Sequence, residues 1–365
     1  MKPKLLLISA IPPTPQNSGG ATRIHHTLQE LSKYYQVKLV TFSDKSFLLQ
    51  PKNISLFLTR GIPYWFSSWY NPILIQHLTN LVKKNHYDLI QIEFSQLLYL
   101  ADYLPKNIPK NFVAHDISSV SFFRRIFEGE PNTLKKIIRW LLYLQIYFNE
   151  KKYIPLFNTI IAVSKKDQNT LQKHFSDQKI FCFPNGIDKI DFIKKISSKV
   201  INLGYIGSFS HSPNFSAVKY FFDSIAPLLD QKKISYKFYL AGNNNIEFVK
   251  NTFPNPNLIN LGQVKKVKEF YTKIDCLITP IFSGSGSRIK ILEALSFGIP
   301  VVSSPIGAEG IDIKTPYLQI ADTATNYISC LEKLPNNKPL ELETQLKPLL
   351  WKNVFKSYQK DIIKL

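Results

Sequence analysis

The feature that most restricts how this chain can fold is an alternation repeated along its length. Short runs rich in branched and aromatic residues are each followed by a segment whose apolar positions have helical spacing. The runs fall at residues 4–9, 37–42, 89–92, 112–114, 159–163 and 179–183, with a second series at 201–206, 236–241, 258–261, 276–279, 300–303 and 318–320. A strand that is apolar throughout is covered on both faces, and intervening helices make neighbouring strands parallel, so the pattern predicts an α/β fold of doubly wound sheets. Residues 188–199 are polar and basic without a period, which predicts a linker with a boundary near Lys195. At 365 residues the chain exceeds one ordinary core. The expected organisation is a first domain over 1–195, a second over 196–345 and a closing helical segment over 346–365.

The formal charge of +20 calls for an anionic partner: nucleic acid, an anionic membrane surface or a phosphorylated small molecule. Charge alone does not choose among them, and a lysine-rich coding bias accounts for it equally well. Cys182, Cys276 and Cys330 are widely spaced and form no C-x-x-C, which argues against a disulfide scaffold or a zinc site and fits a reducing cytoplasm. The apolar run Leu5 to Ile8 is too short for a signal segment and precedes Pro12, Pro13 and Pro15, so it reads as a buried first strand. No stretch reaches the ~18 apolar residues of a membrane span, so any membrane attachment is expected to be peripheral.

The strongest chemical signal follows the run 276–279, in Gly284-Ser285-Gly286-Ser287-Arg288-Ile289-Lys290-Ile291-Leu292-Glu293-Ala294. Glycines let a ligand approach the backbone, and the free N–H groups of a helix start favour phosphate. Arg288 and Lys290 add positive charge where the helix dipole disfavours it, unless an anion sits between them. With the helix starting in the glycine loop, Glu293 lies about seven residues in, roughly 10 Å along the axis. That suits acceptance of hydrogen bonds from a ribose hydroxyl pair; the alternative is a surface pair of Lys290 with Glu293. A second helix start is expected after 300–303, where Glu309 either touches a donor or caps the helix. In the first half, Gly19 and Gly20 lie in the loop that leads into a helix starting near Ala21. They either cradle a phosphate or approach a sugar, or belong to a flexible loop. His115 follows the run 112–114, at a carboxyl strand end. There is no P-loop and no complete dinucleotide glycine fingerprint, so ATP and NAD are not expected. No D-x-D occurs, so no metal ligands are expected.

Val163-Ser164, Pro184-Asn185-Gly186-Ile187-Asp188, Gly204-Tyr205-Ile206-Gly207-Ser208 with Pro213-Asn214, and Gly284 to Ala294 followed by Gly298-Ile299-Pro300-Val301-Val302 together resemble glycosyltransferase family 4, from about residue 4 to 320. The resemblance implies a GT-B fold: two facing Rossmann-like domains with an interdomain cleft and a C-terminal helix, over 351–363, crossing back to the first domain. It implies a retaining, metal-independent transfer from a nucleotide-diphosphate sugar to a glycan, a lipid-linked saccharide or another acceptor, with no resident cofactor and no nucleic-acid partner, in polysaccharide or glycoconjugate synthesis. By position, the resemblance makes His115 the histidine near the transferred sugar and Glu293 the second glutamate of E-x7-E. The expected donor-binding positions are Gly19, Gly20, Gly207, Ser285, Gly286, Ser287, Arg288, Lys290, Glu293 and Glu309. Ser285 stands where the family has its first glutamate. The usual Arg and Lys are missing from residues 207–214, and Arg288 with Lys290 would replace their charge.

Residues 121–127 and 134–153 mix aromatics with Lys135, Lys136 and Arg139. They read either as an interfacial surface for anionic lipid at the inner face of the membrane or as an ordinary long helix with lysines at its rim. Two rival readings stay open: an epimerase or hydrolase on the same fold, and a non-catalytic basic protein binding nucleic acid or acidic glycan.

Overall fold

The computed structural model describes residues 2–14, 18–42, 47–127, 132–194, 199–209, 211–243, 246–284, 288–335 and 340–358. Two parallel sheets of six strands organise them. The first comprises β1 (Lys4–Ser9), β2 (Gln36–Thr41), β3 (Leu89–Glu93), β4 (Lys110–Ala114), β5 (Thr159–Ala162) and β6 (Lys179–Cys182), in the order β2-β1-β3-β4-β5-β6. The second comprises β7 (Ile201–Ile206), β8 (Tyr236–Ala241), β9 (Leu258–Gly262), β10 (Cys276–Thr279), β11 (Val301–Ser303) and β12 (Leu318–Ile320), in the order β12-β11-β10-β7-β8-β9. Every predicted strand is present, its bounds moved by two residues or fewer.

The all-apolar runs behave as the pattern requires. Successive side chains of a strand point to opposite faces. Leu6 and Ile8 therefore enter one core of the first domain while Leu5 and Leu7 enter the other. In β10, Cys276 and Ile278 face one core of the second domain and Leu277 the other. Strand order reverses between β1 and β3 in the first sheet and between β7 and β10 in the second. In open α/β sheets, ligands bind outside the carboxyl ends of strands at such reversals.

Two crossings join the domains, and the first differs from expectation. Ile187 is buried in a core of the second domain, and the Asp191 and Ile193 amides donate to Ser296 and Phe297 carbonyls. The segment read as a free linker is thus docked from Ile187 onward; Lys195 lies outside the described residues. The return crossing is the helix Trp351–Tyr358, which buries Trp351, Val354, Phe355 and Tyr358 against Leu5 and Leu7. The remainder of the predicted 351–363 helix lies outside the described residues.

The helix expected after β11 is absent: residues 305–310 form turns. Ser304 Oγ captures the Gly307 amide at 2.9 Å and Gly310 takes φ +79°, which breaks the repeat that a helix needs.

Candidate functional site at the facing strand ends

Helix starts from the two domains meet at the strand-order reversals. In the first domain the helix Gly19–Tyr34 begins at Gly19, two residues before the sequence-based start, with Ser18 Oγ accepting from the Ala21 amide at 3.2 Å. In the second, the helix Ile289–Ser296 follows the loop after β10. A Cβ on Gly19 would lie 3.3 Å from Ile289 Cδ1, so the two N-termini are in contact. Gly20 has a packing reason to be glycine: a Cβ there would sit 3.1 Å from the Phe94 ring and 3.2 Å from Ile11.

The helix carrying Arg288, Lys290 and Glu293 starts later than the sequence suggested. Arg288 is its N-cap, so Glu293 lies four residues beyond Ile289, about 6 Å along the axis rather than 10 Å. Ser285, Gly286 and Ser287 lie outside the described residues. The surface pair of Lys290 with Glu293 does not form. Lys290 Nζ instead donates to Tyr205 Oη at 2.9 Å and Asn214 Oδ1 at 3.0 Å, lying 4.1 Å from the Tyr205 ring centre. Tyr271 Oη donates to the Lys290 carbonyl at 2.8 Å and approaches Glu293 Oε2 at 3.2 Å.

Gly207 follows β7, and a Cβ on it would come within 2.8 Å of Asn214 and 2.9 Å of Lys290 Nζ. The Lys290 ammonium therefore lies against the loop in which the expected Arg and Lys are missing. Burial, and then the Arg288 charge, lower Lys290 to about 7. Burial raises Glu293 to about 7 against the opposing Tyr271 hydrogen bond. Burial also lowers Arg288, which has Tyr205, Asp116 and Glu309 as attractive neighbours. His211 keeps an exposed edge, yet the protein around it and the charges of Arg288, Lys290 and Arg125 push it down to about 4. An anion is the group whose arrival relieves this crowding of cations.

His115 follows β4, stacked on Phe94 with ring centres 3.7 Å apart, and its Nε2 lies 2.7 Å from Glu93 Oε2. Burial lowers its pKa while the Glu93 hydrogen bond and charge oppose the shift. Phe94 holds φ +77°, a left-handed value that is strained for an aromatic residue and fits a site over-determined by its surroundings. Asp116, beside His115, is raised by burial and lies within the field of Arg288 and Arg125. Glu309 is held from the opposite domain: Arg124 Nη1 and Nη2 bond its two oxygens at 2.5 and 2.8 Å, and Lys166 pairs with it as well. Arg124 Nη1 also donates to the Gly284 carbonyl at 2.7 Å.

Sequence reasoning missed Glu93, Phe94, His211 and the Arg124–Glu309 pair. The one available signal was a carboxylate and an aromatic closing the apolar run 89–92, since that position is a carboxyl strand end.

Two Rossmann-like domains with facing strand ends, and a last helix returning to the first domain, make the GT-B architecture. A model described as Glycosyltransferase Family 4 matches residues 17–189, and one described as Glycosyl transferases group 1 matches residues 201–337. The chain belongs to the group 1 glycosyltransferases of family 4, and is a glycosyltransferase. A curated relative, an uncharacterized 44.6 kDa protein in the cps region of Klebsiella pneumoniae, is 22% identical over 332 residues, 84% of each chain. Among solved structures, sucrose-phosphate synthase from Thermosynechococcus elongatus superposes with a TM-score of 0.69 at 11% identity, covering 99% of this chain and 100% of that one. WaaG, a glycosyltransferase involved in lipopolysaccharide biosynthesis, gives 0.67 at 13% identity over 98% and 99%. HepE from Anabaena, in complex with UDP and glucose, gives 0.60 at 13% identity over 99% and 100%. At these identities the structures establish the shared fold. Among the described residues no helix is long and apolar enough to cross a membrane.

Proposed function

We propose that this glycosyltransferase moves a sugar from a nucleotide-diphosphate donor to a glycan or lipid-linked saccharide, with retention and without a metal, in the synthesis of a polysaccharide or glycoconjugate. The observation that carries the reading is the Lys290 ammonium set against Gly207 and Asn214 beside Arg288, the N-cap of helix Ile289–Ser296, with Glu293 one turn behind. Diphosphate oxygens would take the charges of Arg288 and Lys290 and the free amides of the helix start. Glu293 would accept the ribose hydroxyls, with Tyr271 orienting its carboxylate. Gly19, Gly20 and residues 285–287 would border the donor where the two helix starts meet. His115 would face the transferred sugar. In same-face attack, the bond to the departing diphosphate breaks ahead of acceptor approach, and these fixed cations stabilise the charge that develops. The fold shared with HepE, which was solved with UDP and glucose, supports a nucleotide donor.

For the acceptor, the helix Thr133–Tyr153 supports a membrane-facing reading. Leu134, Ile137, Ile138 and Leu141 are all exposed, at the spacing of one helical face, beside the cations Lys135 and Lys136. Such a face lies at the headgroup boundary of an anionic bilayer. This supports a peripheral position at the membrane and a lipid-linked acceptor. Flotation with phosphatidylglycerol vesicles and not with phosphatidylcholine vesicles is the expected result, and equal recovery in both would refute it.

The donor reading is tested by thermal-shift titration with UDP, GDP, dTDP and ADP and their sugar conjugates. Stabilisation by one nucleotide, lost in Glu293→Ala and Arg288→Ala, is expected. A flat response across the panel would reject it.

A further inference from the structure

Three buried side chains form a line from the C-terminal helix to the partly buried site histidine. Tyr358 Oη donates to Gln91 Oε1 at 2.7 Å across a sequence separation of 267 residues. Gln91 Nε2 donates to Glu93 Oε1 at 2.6 Å, and Glu93 Oε2 lies 2.7 Å from His115 Nε2. Tyr358, Gln91 and Glu93 are 3%, 1% and 0% exposed, so water does not compete for these bonds.

The directions of the bonds follow from what each group can do. A glutamine amide has one accepting and one donating end. With the tyrosine proton on Gln91 Oε1, its N–H points to Glu93, which then accepts at one oxygen. The other oxygen is left to accept from His115, so Nε2 carries the proton and Nδ1 carries the lone pair. Turning the amide over would set Gln91 Oε1 against a carboxylate oxygen 2.6 Å away, which is repulsive. The donors therefore all run toward Glu93 and select one tautomer of His115. Stacking on Phe94 fixes the plane of the same ring. The other charges around the ring are Arg23, from the helix Gly19–Tyr34, and Asp116, next in sequence.

We propose that Tyr358 is a positioning residue for sugar transfer: through Gln91 and Glu93 it holds His115 as the Nε2–H tautomer, with Nδ1 as the accepting atom. The proposal rests on the reading that His115 works at the transferred sugar. It gives the returning C-terminal helix a part in the chemistry of the cleft as well as in packing. The helix that covers this face of the first sheet thereby also sets the protonation geometry at the sheet's carboxyl end.

The test uses the full-length protein with ¹⁵N-labelled histidine, His115 being assigned by the signal lost in His115→Gln. Tyr358→Phe keeps the ring packed on Phe183, whose centre lies 4.6 Å away, so the fold is retained. Glu93→Gln is the second variant. Wild type is expected to show the Nε2–H tautomer of His115. In Tyr358→Phe the two ring nitrogens should move toward a tautomer average, and the His115 pKa should rise as Glu93 loses a competing donor. In Glu93→Gln it should fall, because the anion is gone. Turnover, read as nucleoside diphosphate released from the sugar conjugates of UDP, GDP, dTDP and ADP, should drop several-fold in Tyr358→Phe with the donor KM within twofold. Unchanged ring signals in Tyr358→Phe would overturn the relay. Altered signals with unchanged turnover would uphold the relay and overturn the role of His115 in transfer.

Discussion

Replacing Arg124 by alanine removes a bidentate charged tie between the two domains, and its cost can be worked from the geometry. Arg124 sends two charge-assisted bonds to Glu309 and a third bond to the Gly284 carbonyl. The Glu309 side chain is 7% exposed and that of Arg124 20%. Burial pushes the Glu309 carboxyl up, but Arg124 and Lys166 outweigh it and hold it below its usual value. Bonds to charged groups contribute about 1.5–3 kcal/mol each. Freeing the arginine side chain returns about 1.5–2 kcal/mol of rotamer entropy. Stranding a buried charge costs about 3–5 kcal/mol, but Lys166 stays with Glu309, so that limit is not reached. Taking the low end for a partly exposed arginine whose partner keeps Lys166, the net loss is about 2.5 kcal/mol, a fall of roughly 5–10 °C in melting temperature for domains of this size. Calorimetry on Arg124→Ala, Glu309→Gln and the double variant closes the cycle, with an expected coupling of about 1–2 kcal/mol. Effects that add to within ~0.5 kcal/mol would refute the direct pairing.

On the proposed ribose contact, Glu293→Gln should weaken nucleoside-diphosphate binding at least tenfold, since a carboxylate able to accept two hydroxyls would become an amide with one accepting end; titration calorimetry reads this. The ligand-free protein should be least stable near pH 7. Glu293, raised from its ordinary 4.5 to about 7, loses stability as pH climbs through that window. Lys290, lowered from 10.5 to about 7, gains stability only above it. A melting-temperature profile with no dip that the Lys290→Met and Glu293→Gln double variant flattens would contradict these shifts. Gly242→Ala should unfold more readily and bind nucleotide poorly: its φ is +132° and a Cβ would lie 2.3 Å from the Gly207 carbonyl oxygen. Gly19→Ala should keep its melting temperature, because the tightest contact of its Cβ is 3.3 Å to the terminal methyl of Ile289 and the others, at 3.6 Å, are ordinary packing, while donor affinity falls.

The strands were legible because a parallel strand buried on both faces must be apolar at every position, and runs such as 4–9 and 201–206 carry that signature without help from distant residues. The cations Arg288 and Lys290 at a helix start after β10 were legible for a similar local reason. The start of the Glu293 helix was not, since Arg288 caps it without a side-chain hydrogen bond and leaves no Ser, Thr, Asp or Asn to mark the position. The turns at 305–310 depend on Ser304 turning back onto Gly307, a choice that helix spacing does not reveal. The site contacts of Glu93 and Glu309 are with His115 and Arg124, which lie 22 and 185 residues away. Only folding brings together the residues that make the cleft electrostatic.

The most direct measurement is the release of nucleoside diphosphate from the sugar conjugates of UDP, GDP, dTDP and ADP by wild type and Glu293→Gln, with the anomeric configuration of the freed or transferred sugar read by proton NMR. The account expects one conjugate to be turned over with the anomer retained, and the rate to collapse in the variant. Turnover with inversion, or turnover indifferent to Glu293, would contradict it.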